Sequence, residues 1–531
     1  MKVLVSDKLS KEGVAILAAA KGIEVIDKPG LPLEELKTII ADVEGLIVRS
    51  ATKVNQDLLA CAPKLKAIAR AGAGVDNIDC EAASRRGIIV MNTPGGNTVS
   101  AAEHAIAMLC SLARSIPAAD ALMKQEVWEK KKFTGAELTG KTLGVVGLGR
   151  IGSEVARRAV GLRMNVVAFD PFANAEQAKA LGIELTGSLD DLMKRARFVT
   201  VHASLTDKTK GMIGAKELAA AKKGVAIVNC ARGGIVDEAA LLDALNSGQV
   251  SAAALDVFSS EPPTDWTLAK HPKVIATPHL GASTEEAQLN VAIAAAEQMV
   301  DALLYNKVRF AVNFPSVDAE EMAALSPYMV LGRRLGAIAG QLCEAPVKDV
   351  TVTYSGQVAM LKTEPVTVSV AAGLLSAYVE DVNLVNARVL LKERGIAMKE
   401  TRTSDAEDFV TYMAVEVRAG NETHVAGGTL FGKSSPRLVL VDGFTLEIEP
   451  AGCVLFIRNK DVPGVIGEVG RILGAHKINI ATMSNGRRSA GGEALTVVST
   501  DSVPDDQVVL ALQGASNVLA VKLVRLDGGT A

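Results

Sequence analysis

Residues 141–155, KTLGVVGLGRIGSEV, join an apolar β-type run to a helix-forming run through a G-x-G-x-x-G turn. In a Rossmann βα unit the first glycine makes the tight turn, the second lets the backbone approach a pyrophosphate, and the third lets the helix pack close to the strand. The helix that follows would offer N–H groups and a partial positive charge to that pyrophosphate. The spacing therefore predicts a dinucleotide site built on Gly147, Gly149 and Gly152.

An acidic residue indicates which dinucleotide is expected. Asp170 ends a second apolar run and lies about 20 residues beyond the turn, where a carboxylate would bind the ribose hydroxyls. Pro171 and Phe172 follow it, and no Arg or Lys stands beside it to receive a 2′-phosphate. We therefore expect NAD rather than NADP. The alternative is a glycine turn in some other α/β protein.

Composition limits the classes to which the chain can belong. Its 531 residues are too many for one core, and the apolar 49% is mostly aliphatic, as expected of stacked α/β layers. The net charge is −3 without a basic block, so nucleic acid is not an expected partner. The cysteines are scattered without a C-x-x-C pair, which indicates reduced thiols in a cytoplasmic protein and no metal site. The apolar stretch 366–379 is shorter than the ~20 residues that span a bilayer, so no membrane association is expected.

The apolar runs divide the chain into successive domains. Residues 1–96 alternate short strands with helical patterns, which predicts a parallel sheet. Residues 97–278 form the nucleotide domain, and residues 279–308 are expected to return to the first domain. Residues 315–450 mix helices and strands, and residues 453–531 have the ferredoxin-like order βαββαβ. The predicted fold class is α/β: a Rossmann domain inserted in a second α/β domain and followed by two α+β domains.

Several individual elements are also predicted. Residues 98–115 resemble a long helix that leaves the first domain, and residues 285–304 an Ala-rich helix that returns to it. In the third domain the patterns predict helices over 328–343 and 383–393 and strands over 350–353, 410–417 and 438–441.

Three charged residues fall in loops after strands of the nucleotide domain, at the edge where open α/β sheets bind ligands. Arg232 lies in NCARGG, Glu261 in SSEPP and His279 in TPHLG. Together they suit hydride transfer from a 2-hydroxy acid: the histidine takes the hydroxyl proton, the glutamate raises its basicity, and the arginine clamps the carboxylate. The alternative is a structural histidine beside a surface ion pair. His202 is expected to line the cofactor site without carrying a proton.

Longer motifs resemble one enzyme family. Four motifs are similar to those of the D-isomer-specific 2-hydroxyacid dehydrogenases: ARGGIVDEAAL (231–241), ALDVFSSEPP (254–263), PHLGAST (278–284) and VGLGRIG (146–152). Other parts of the chain resemble, more narrowly, the long-form D-3-phosphoglycerate dehydrogenases. These parts are the two C-terminal domains and the motifs RSATKV (49–54), RAGAGVDNID (70–79) and VMNTPGGNTVSAAEH (90–104). This resemblance covers all 531 residues. It implies a substrate domain formed by the first segment and the returning helix, an intervening domain, and a C-terminal ACT domain, which is a small-molecule regulatory module.

The same resemblance implies roles for individual residues. His279 would be the proton donor and acceptor, Glu261 its partner, and Arg232 the ligand of the substrate carboxylate. The implied cofactor-binding residues are Gly147, Gly149, Arg150, Ile151, Gly152, Asp170, Cys230, Ala231, Arg232, Asp256, His279, Gly281 and Ala282. The residues implied to hold a phosphorylated substrate across the cleft are Arg49, Ser50, Arg70 and Asn97. A solvated strand-end cap is the alternative for Arg49 and Arg70.

The resemblance further implies an activity and its regulation. The reaction would be NAD-dependent oxidation of 3-phospho-D-glycerate to 3-phosphohydroxypyruvate, the first step of L-serine biosynthesis, by a cytoplasmic homo-oligomer, a dimer or a tetramer. In the ACT domain, Asp461 and Asn479 would bind L-serine as an effector at a dimer interface, with ordinary helix capping as the alternative for Asp461. Two other functions stay open: another D-2-hydroxyacid dehydrogenase, such as a hydroxypyruvate or glyoxylate reductase, and a non-catalytic NAD-sensing binding protein.

Overall fold

The computed structural model describes residues 1–315, 317, 319–406 and 408–526. Ser316, in the third predicted domain, and residues 527–531, at the end of the fourth, lie outside the described residues. The first sheet is parallel and 5-stranded, in the order β2-β1-β3-β4-β5, which confirms the parallel sheet predicted for residues 1–96. Its elements are β1 (Lys2–Val5), α1 (Lys11–Ala19), β2 (Glu24–Asp27), α2 (Leu33–Ile40), β3 (Gly45–Val48), α3 (Gln56–Ala60), β4 (Ala67–Arg70), α4 (Cys80–Arg85) and β5 (Ile89–Asn92).

Two helices carry the chain from the first sheet to the second. They are α5 (Thr98–Arg114) and α6 (Ile116–Met123), separated by Ser115 in a left-handed conformation with φ +52°. The prediction for α5 is confirmed, and its Ala102 and Leu109 lie in the core of the nucleotide domain. No single helix of the described chain is long and apolar enough to cross a membrane; α5 and α6 pass that test only together, and they are bent by 64°.

The second sheet is parallel and 7-stranded, in the order β8-β7-β6-β9-β10-β11-β12. The strand order reverses between β6 and β9, which places a ligand crevice at their carboxyl ends. The elements are β6 (Thr142–Val146), α7 (Arg150–Gly161), β7 (Asn165–Phe169), α8 (Ala175–Ala180), β8 (Ile183–Leu185), α9 (Leu189–Arg195), β9 (Phe198–Val201), α10 (Ala215–Ala220), β10 (Val225–Asn229), α11 (Glu238–Ser247), β11 (Val250–Leu255) and β12 (Val274–Ala276).

The chain then returns to the first sheet through α12 (Glu285–Tyr305). Apolar residues of α12, among them Val291, Ala295 and Met299, form one buried cluster with Val3 and Ile47 of the first sheet. The nucleotide domain is therefore an insertion in the first α/β domain, as the sequence predicts. The exact domain boundaries stay predictions.

The third domain has a 6-stranded mixed sheet, in the order β14-β13-β15-β16-β17-β18, covered by a helix pair. Its first helix begins at Ala319 rather than at 328, and residues 364–375 form a helix that the sequence does not predict. All of 365–375 is buried, so this helix has no polar face to give it a 3.6-residue period. The elements are α13 (Ala319–Leu342), β13 (Val347–Gly356), α14 (Glu364–Leu375), α15 (Ala387–Glu393), β14 (Ala397–Thr403), β15 (Thr411–Ala419), β16 (Glu422–Phe431), β17 (Ser435–Val441) and β18 (Phe444–Ile448).

Glycines allow α13 and α14 to pack backbone against backbone. Gly332, Gly336 and Gly340 repeat every four residues along α13 and face α14. A Cβ on Gly336 would overlap the carbonyl oxygen of Val370, and one on Gly340 would lie 2.9 Å from the Leu374 side chain. Because the obstacle at Gly336 is backbone, a neighbouring side chain cannot rotate away to make room.

We expect Gly336→Ala to lower the free energy of unfolding of this domain by about 1–3 kcal/mol, the usual effect of forcing a methyl group into a packed core. Gly467, in the helix 465–475 of the fourth domain, has no atom within 4 Å of its Cβ position, so Gly467→Ala should be neutral or stabilise by about 0.5–1 kcal/mol. Scanning calorimetry of both full-length variants measures the difference. Equal midpoints for Gly336→Ala and the wild type would contradict the close helix packing.

The fourth domain has the expected βαββαβ order and a 4-stranded antiparallel sheet, β20-β21-β19-β22. It shares a buried cluster with the third domain, in which Phe456 and Val497 pack with residues such as Phe444. The side chain of Gln341 also binds both the N–H and the C=O of Arg525, at 2.9 Å each. The elements are β19 (Cys453–Lys460), α16 (Val465–Ala475), β20 (Ile480–Arg487), β21 (Glu493–Thr500), α17 (Asp506–Gln513) and β22 (Val518–Arg525).

The third domain contacts the first near the end of α4. Arg85 of α4 binds Glu393 of α15, with Nε 2.8 Å from Oε1. Two residues further on, the Gly87 carbonyl accepts a hydrogen bond from the Asn383 side chain at 3.2 Å. Thus α4, which follows the Asp76 loop of the first domain, is held at its other end by the third domain.

Candidate active site

The turn between β6 and α7 leaves room for a phosphate above it. Gly147 has φ +91°, and a Cβ there would lie 2.8 Å from the His202 carbonyl, so only glycine fits. A Cβ on Gly152 would overlap the Gly147 carbonyl oxygen, whereas Gly149 has no atom within 4 Å of its Cβ position. Gly149 caps α7 without a side-chain hydrogen bond. The N–H groups of the first helical turn can therefore bind a pyrophosphate, and Arg150 and Ile151 supply them.

Asp170, at the end of β7, holds the same turn from the side. Its Oδ2 accepts the Leu148 N–H at 2.8 Å, and its Oδ1 accepts the Phe172 N–H at 2.8 Å. Each carboxylate oxygen has a second lone pair, so Asp170 can still accept hydrogen bonds from ribose hydroxyls. The residues present fit NAD: an open glycine turn, an uncapped helix N-terminus and an acid beside both.

We expect Asp170→Ala to lower kcat/KM with NAD by about 10–100-fold, the effect of losing hydrogen bonds to a charged group, and to narrow the preference over NADP. Asp170→Asn is the matched control, because its amide oxygen can still accept the Leu148 N–H while the negative charge is lost. Kinetics with both cofactors separate charge from support of the turn. If Asp170→Ala and Asp170→Asn both kept the wild-type ratio of kcat/KM with NAD to kcat/KM with NADP, Asp170 would have no part in the choice of cofactor.

His279, in the loop after β12, and Glu261, in the loop after β11, form a hydrogen-bonded pair. His279 Nδ1 lies 2.7 Å from Glu261 Oε2, and the two side chains are 43% and 38% exposed, so the pair is accessible from the cleft. Burial alone would raise the pKa of Glu261, but the hydrogen bond and charge of His279, the Phe258 N–H and the charge of Arg232 bring that pKa below its ordinary value. Glu261 therefore stays ionised and can stabilise a protonated His279.

The His279 backbone is held in a strained conformation. Its φ is +54°, in the left-handed region, which costs a non-glycine residue about 1–3 kcal/mol. The His279 N–H donates to the carbonyls of Asp256, at 2.9 Å, and Thr277, at 3.1 Å. Strain of this kind persists where surrounding contacts determine the conformation, and here those contacts fix the direction of the imidazole.

Asp256 anchors the loop that carries His279. Its fully buried carboxylate accepts the Thr277 hydroxyl at 2.5 Å, the Leu280 N–H at 2.7 Å and the Gly281 N–H at 2.9 Å. Burial alone would raise the pKa of Asp256, but hydrogen bonds from His104, Thr277 and the Leu280 N–H outweigh it and hold that pKa below its ordinary value, so the carboxylate is ionised. The structure thus places Asp256 as a support of the loop, and its contact with the cofactor stays a prediction.

Positive charge gathers where the first two domains face each other. Arg232 Nε donates to Asp76 Oδ2 at 3.0 Å, across the domains, and its Nη1 donates to the Ala231 carbonyl at 2.7 Å. Burial, followed by the charges of Arg232 and, more weakly, Arg49, lowers the pKa of Arg70 to about 10. The structure therefore places Arg70 within electrostatic reach of both Arg232 and Arg49, an arrangement suited to an anion of more than one charge.

The remaining expected substrate residues differ in their surroundings. Ser50 is exposed beside Arg49. Asn97 precedes α5, and its buried Oδ1 has no hydrogen-bond partner among the described residues. A buried amide oxygen without a partner is unfavourable in a folded protein and is suited to accept a donor from a ligand.

Further residues expected near the cofactor follow strands of the second sheet, and two of them cannot act as proton carriers or nucleophiles. Cys230 is buried at the end of β10, and burial, with the nearby charge of Asp256, raises the pKa of its thiol far above the ordinary value, so it is not a nucleophile. Burial lowers the pKa of His202 to about 4, which makes it neutral, and its Nε2 pairs with Thr200 at 2.9 Å. Gly281 is buried beside Ala282. No cluster of three or more possible metal ligands occurs in the described residues.

The two expected effector residues lie far apart in one chain. Asp461 follows Lys460, the last residue of β19, whereas Asn479 precedes β20, whose start pairs through β21 with the first residue of β19. The eight residues of β19 separate them by roughly 25 Å. Asp461 accepts Arg487 at 3.2 Å and the Gly491 N–H at 3.0 Å. A single copy of the chain therefore does not bring Asp461 and Asn479 to one ligand.

Two polar residues at the site were not singled out from the sequence. Asp76 and His104 lie in motifs that carry the family resemblance, but neither motif indicates a partner. Their partners, Arg232 and Thr277, are 156 and 173 residues away. The only sequence signal for them was position, since Asp76 follows a strand-end glycine turn and His104 lies on the helix that joins the domains.

Family models match most of the chain. The NAD-binding domain of the D-isomer specific 2-hydroxyacid dehydrogenases matches residues 106–281, the D-3-phosphoglycerate dehydrogenase intervening domain 324–442, and the ACT domain 454–516. D-3-phosphoglycerate dehydrogenase from Bacillus subtilis is 44% identical over 527 residues, which cover 99% of both chains. Its counterpart from Methanocaldococcus jannaschii is 41% identical over 99% of this chain and 100% of its own.

Solved structures resemble somewhat more than half of the chain. The TT0316 protein from Thermus thermophilus is 34% identical with a TM-score of 0.54 and covers 59% of this chain and 100% of its own. D-lactate dehydrogenase from Aquifex aeolicus, complexed with NAD and lactic acid, is 28% identical with a TM-score of 0.51 and covers 58% and 96%. The full-length similarity, the three domain matches and the NAD-binding domain agree. The chain belongs to the NAD-dependent D-isomer specific 2-hydroxyacid dehydrogenase family and, within it, to the D-3-phosphoglycerate dehydrogenases.

Proposed function

We propose that this enzyme oxidises 3-phospho-D-glycerate to 3-phosphohydroxypyruvate with NAD, the first step of L-serine biosynthesis. The observation that carries this proposal is a row of guanidinium groups that reaches the His279–Glu261 pair: Arg70 lies within electrostatic reach of Arg49 and Arg232, and Arg232 within reach of Glu261. A substrate with a carboxylate at one end and a phosphate at the other needs such a set of guanidinium groups, whereas lactate or glyoxylate has no phosphate to bind.

The bound NAD supplies the hydride acceptor. His279 takes the proton of the substrate hydroxyl; because its Nδ1 is bonded to Glu261, Nε2 is the nitrogen available as base. Glu261, ionised beside it, stabilises the imidazolium that results. Arg232 binds the substrate carboxylate, while Arg49 and Arg70 hold the phosphate, with Ser50 and Asn97 as polar neighbours.

To bind the substrate carboxylate, Arg232 must share its guanidinium group between the substrate and Asp76, or release Asp76. The Asp76 side chain that faces it is 59% exposed. Ion pairs exposed to this degree contribute only about 0–1 kcal/mol, so a substrate carboxylate can replace Asp76 at little cost. Meanwhile Asp76 keeps the guanidinium directed across the cleft in the absence of substrate.

The direct test compares NAD reduction with 3-phosphoglycerate, D-glycerate and D-lactate under identical conditions. We expect the highest kcat/KM with 3-phosphoglycerate. A higher value with D-glycerate would indicate a hydroxypyruvate or glyoxylate reductase instead. NADH binding without turnover of any of these acids would indicate a non-catalytic NAD-sensing protein.

We further propose that the enzyme is a cytoplasmic homo-oligomer, a dimer or a tetramer. Helix α6 contains no buried residue, so its apolar side chains face outward: Ile116 is 51% exposed and Met123 53%. Trp128, five residues after Met123, is 78% exposed. Apolar groups exposed together favour contact with another copy. All six cysteines are free thiols, as expected in a reducing compartment. Light scattering of the purified protein tests the oligomeric state.

For the ACT domain we propose L-serine as the effector, bound between two copies, with Asp461 of one copy taking its ammonium group and Asn479 of the other its carboxylate or hydroxyl. The separation of these residues within one chain is what favours a site between copies. We expect calorimetry to detect serine binding to the wild type and Asp461→Ala to weaken it by about 10-fold or more, since a charged hydrogen-bond partner is lost. Asp506→Ala, an exposed acid of the same domain, is the control. No binding to the wild type at millimolar serine would refute the proposal.

A further inference from the structure

A second histidine supports the loop that carries His279. His104 projects from α5, and its Nε2 lies 3.2 Å from Asp256 Oδ1 and 3.3 Å from Thr277 Oγ1. The His104 side chain is 20% exposed, whereas the Asp256 carboxylate is fully buried. The reaction described above gives His104 no role, although its ring contacts Thr277 and Asp256, which hold the loop of His279.

The hydrogen-bond pattern fixes which nitrogen of His104 carries the proton. The Thr277 hydroxyl donates its only hydrogen to Asp256 Oδ1, at 2.5 Å, so its oxygen can only accept from His104. The ionised carboxylate of Asp256 likewise only accepts. Both contacts therefore require a hydrogen on Nε2, which makes His104 a donor shared between Thr277 and Asp256.

From Asp256 the contacts continue into the loop. Its carboxylate accepts the N–H groups of Leu280 and Gly281, and its carbonyl accepts the N–H of His279. Ser100, one turn before His104 on α5, donates to the Gly281 carbonyl at 2.8 Å. The residues on both sides of the catalytic imidazole are thus tied to α5, directly or through Asp256.

We propose that His104 is a positioning residue for hydride transfer, which acts through Asp256 to hold the His279 loop in place; the inference rests on the proposed function only for the identity of the reaction. Helix α5 begins at Thr98, directly after the chain leaves the first sheet. The segment that joins the two domains is therefore also the support of the catalytic loop.

The strained backbone of His279 makes this support necessary. A left-handed φ is kept only while surrounding contacts determine it. Without the His104 donor, a buried carboxylate oxygen loses one of its partners, and the loop can relax. The expected result is a misplaced imidazole rather than a weaker cofactor site, since Gly149 and Asp170 lie at other strands of the sheet.

The test compares two variants. His104→Leu fills the position with an apolar side chain that cannot donate a hydrogen bond, whereas the amide of His104→Gln supplies an Nε2 donor. In His104→Leu we expect amide hydrogen exchange of residues 277–283 to accelerate by about 10-fold or more. We expect kcat to fall by about 10²-fold, the usual cost of a small misplacement, with KM for NAD changed by less than about twofold. His104→Gln should restore most of both properties.

His476→Gln, a histidine on the fourth domain, is the control and should behave as the wild type. Wild-type exchange and kcat in His104→Leu, or equal impairment of the glutamine and leucine variants, would overturn the proposal. If His104→Leu does not fold, His104→Ala replaces it in the same comparison. Failure of the wild type to oxidise 3-phosphoglycerate would refute the proposed function instead, and hydrogen exchange would still test the support of the loop.

Discussion

His279→Ala is expected to lower kcat by about 10²–10⁴-fold, the usual contribution of a general base, while NADH binds as tightly as to the wild type. The imidazole lies beyond β12 and pairs with Glu261 at 2.7 Å. The adenosine half of the cofactor is expected over Gly149 and Asp170, at β6 and β7. Removing the base should therefore leave most of the cofactor contacts unchanged. Steady-state kinetics and a fluorescence titration with NADH measure the two effects separately.

The matched control is His271→Ala in the same domain, whose ring only accepts the Lys273 N–H, at 3.2 Å. It should retain near wild-type turnover. A His279→Ala enzyme that also kept near wild-type turnover would disprove the assignment of the base. Loss of NADH binding in His279→Ala would instead show that the loop supports the cofactor site.

Arg232→Lys should lower kcat/KM for 3-phosphoglycerate by about 10–100-fold, which corresponds to the 1.5–3 kcal/mol of a hydrogen bond to a charged group. Lysine keeps the positive charge but lacks the planar pair of donors that a carboxylate accepts. It also cannot bind Asp76 and the Ala231 carbonyl at the same time in the way that Arg232 does. NADH affinity should not change.

Arg195→Lys serves as its control, because Arg195 is a surface residue of the same domain that pairs with Glu184. The two substitutions make the same chemical change, and only the one at the cleft should affect kinetics. An unchanged kcat/KM in Arg232→Lys would mean that charge alone holds the substrate carboxylate. Impairment of both variants to the same extent would mean that the loss at Arg232 is not specific to the site.

The features predicted correctly from the sequence are those that short-range patterns determine. The glycine turn at 147–152 needs only its own residues to bend, and short aliphatic runs between helices have few ways to be buried other than in a parallel sheet. The sequence also places Arg232, Glu261 and His279 at one edge of the sheet, because each follows a strand and parallel strands end at one edge; their catalytic roles stay predictions.

The missed features depend on contacts distant in the chain. Asp76 and His104 acquire their contacts only in the folded chain, where Asp76 meets Arg232 across two domains and His104 meets Thr277 within one. The buried helix 364–375 lacks a polar face, so no period marks it. The sequence predicts Asp256 as a cofactor contact, which stays a prediction, whereas its support of the His279 loop is visible only from the positions of Leu280 and Gly281.

The common core of the last two domains makes them one mechanical body. Because Phe456 and Val497 are buried with Phe444, a rotation imposed on the fourth domain also turns the third. That body reaches the catalytic part through Glu393 on Arg85, at the far end of the helix that follows Asp76. A lever of this kind needs no change of its own internal structure: a rotation of the two joined domains relative to the first would act on the end of α4 through Glu393 and Asn383, and α4 directly follows the loop that contains Asp76.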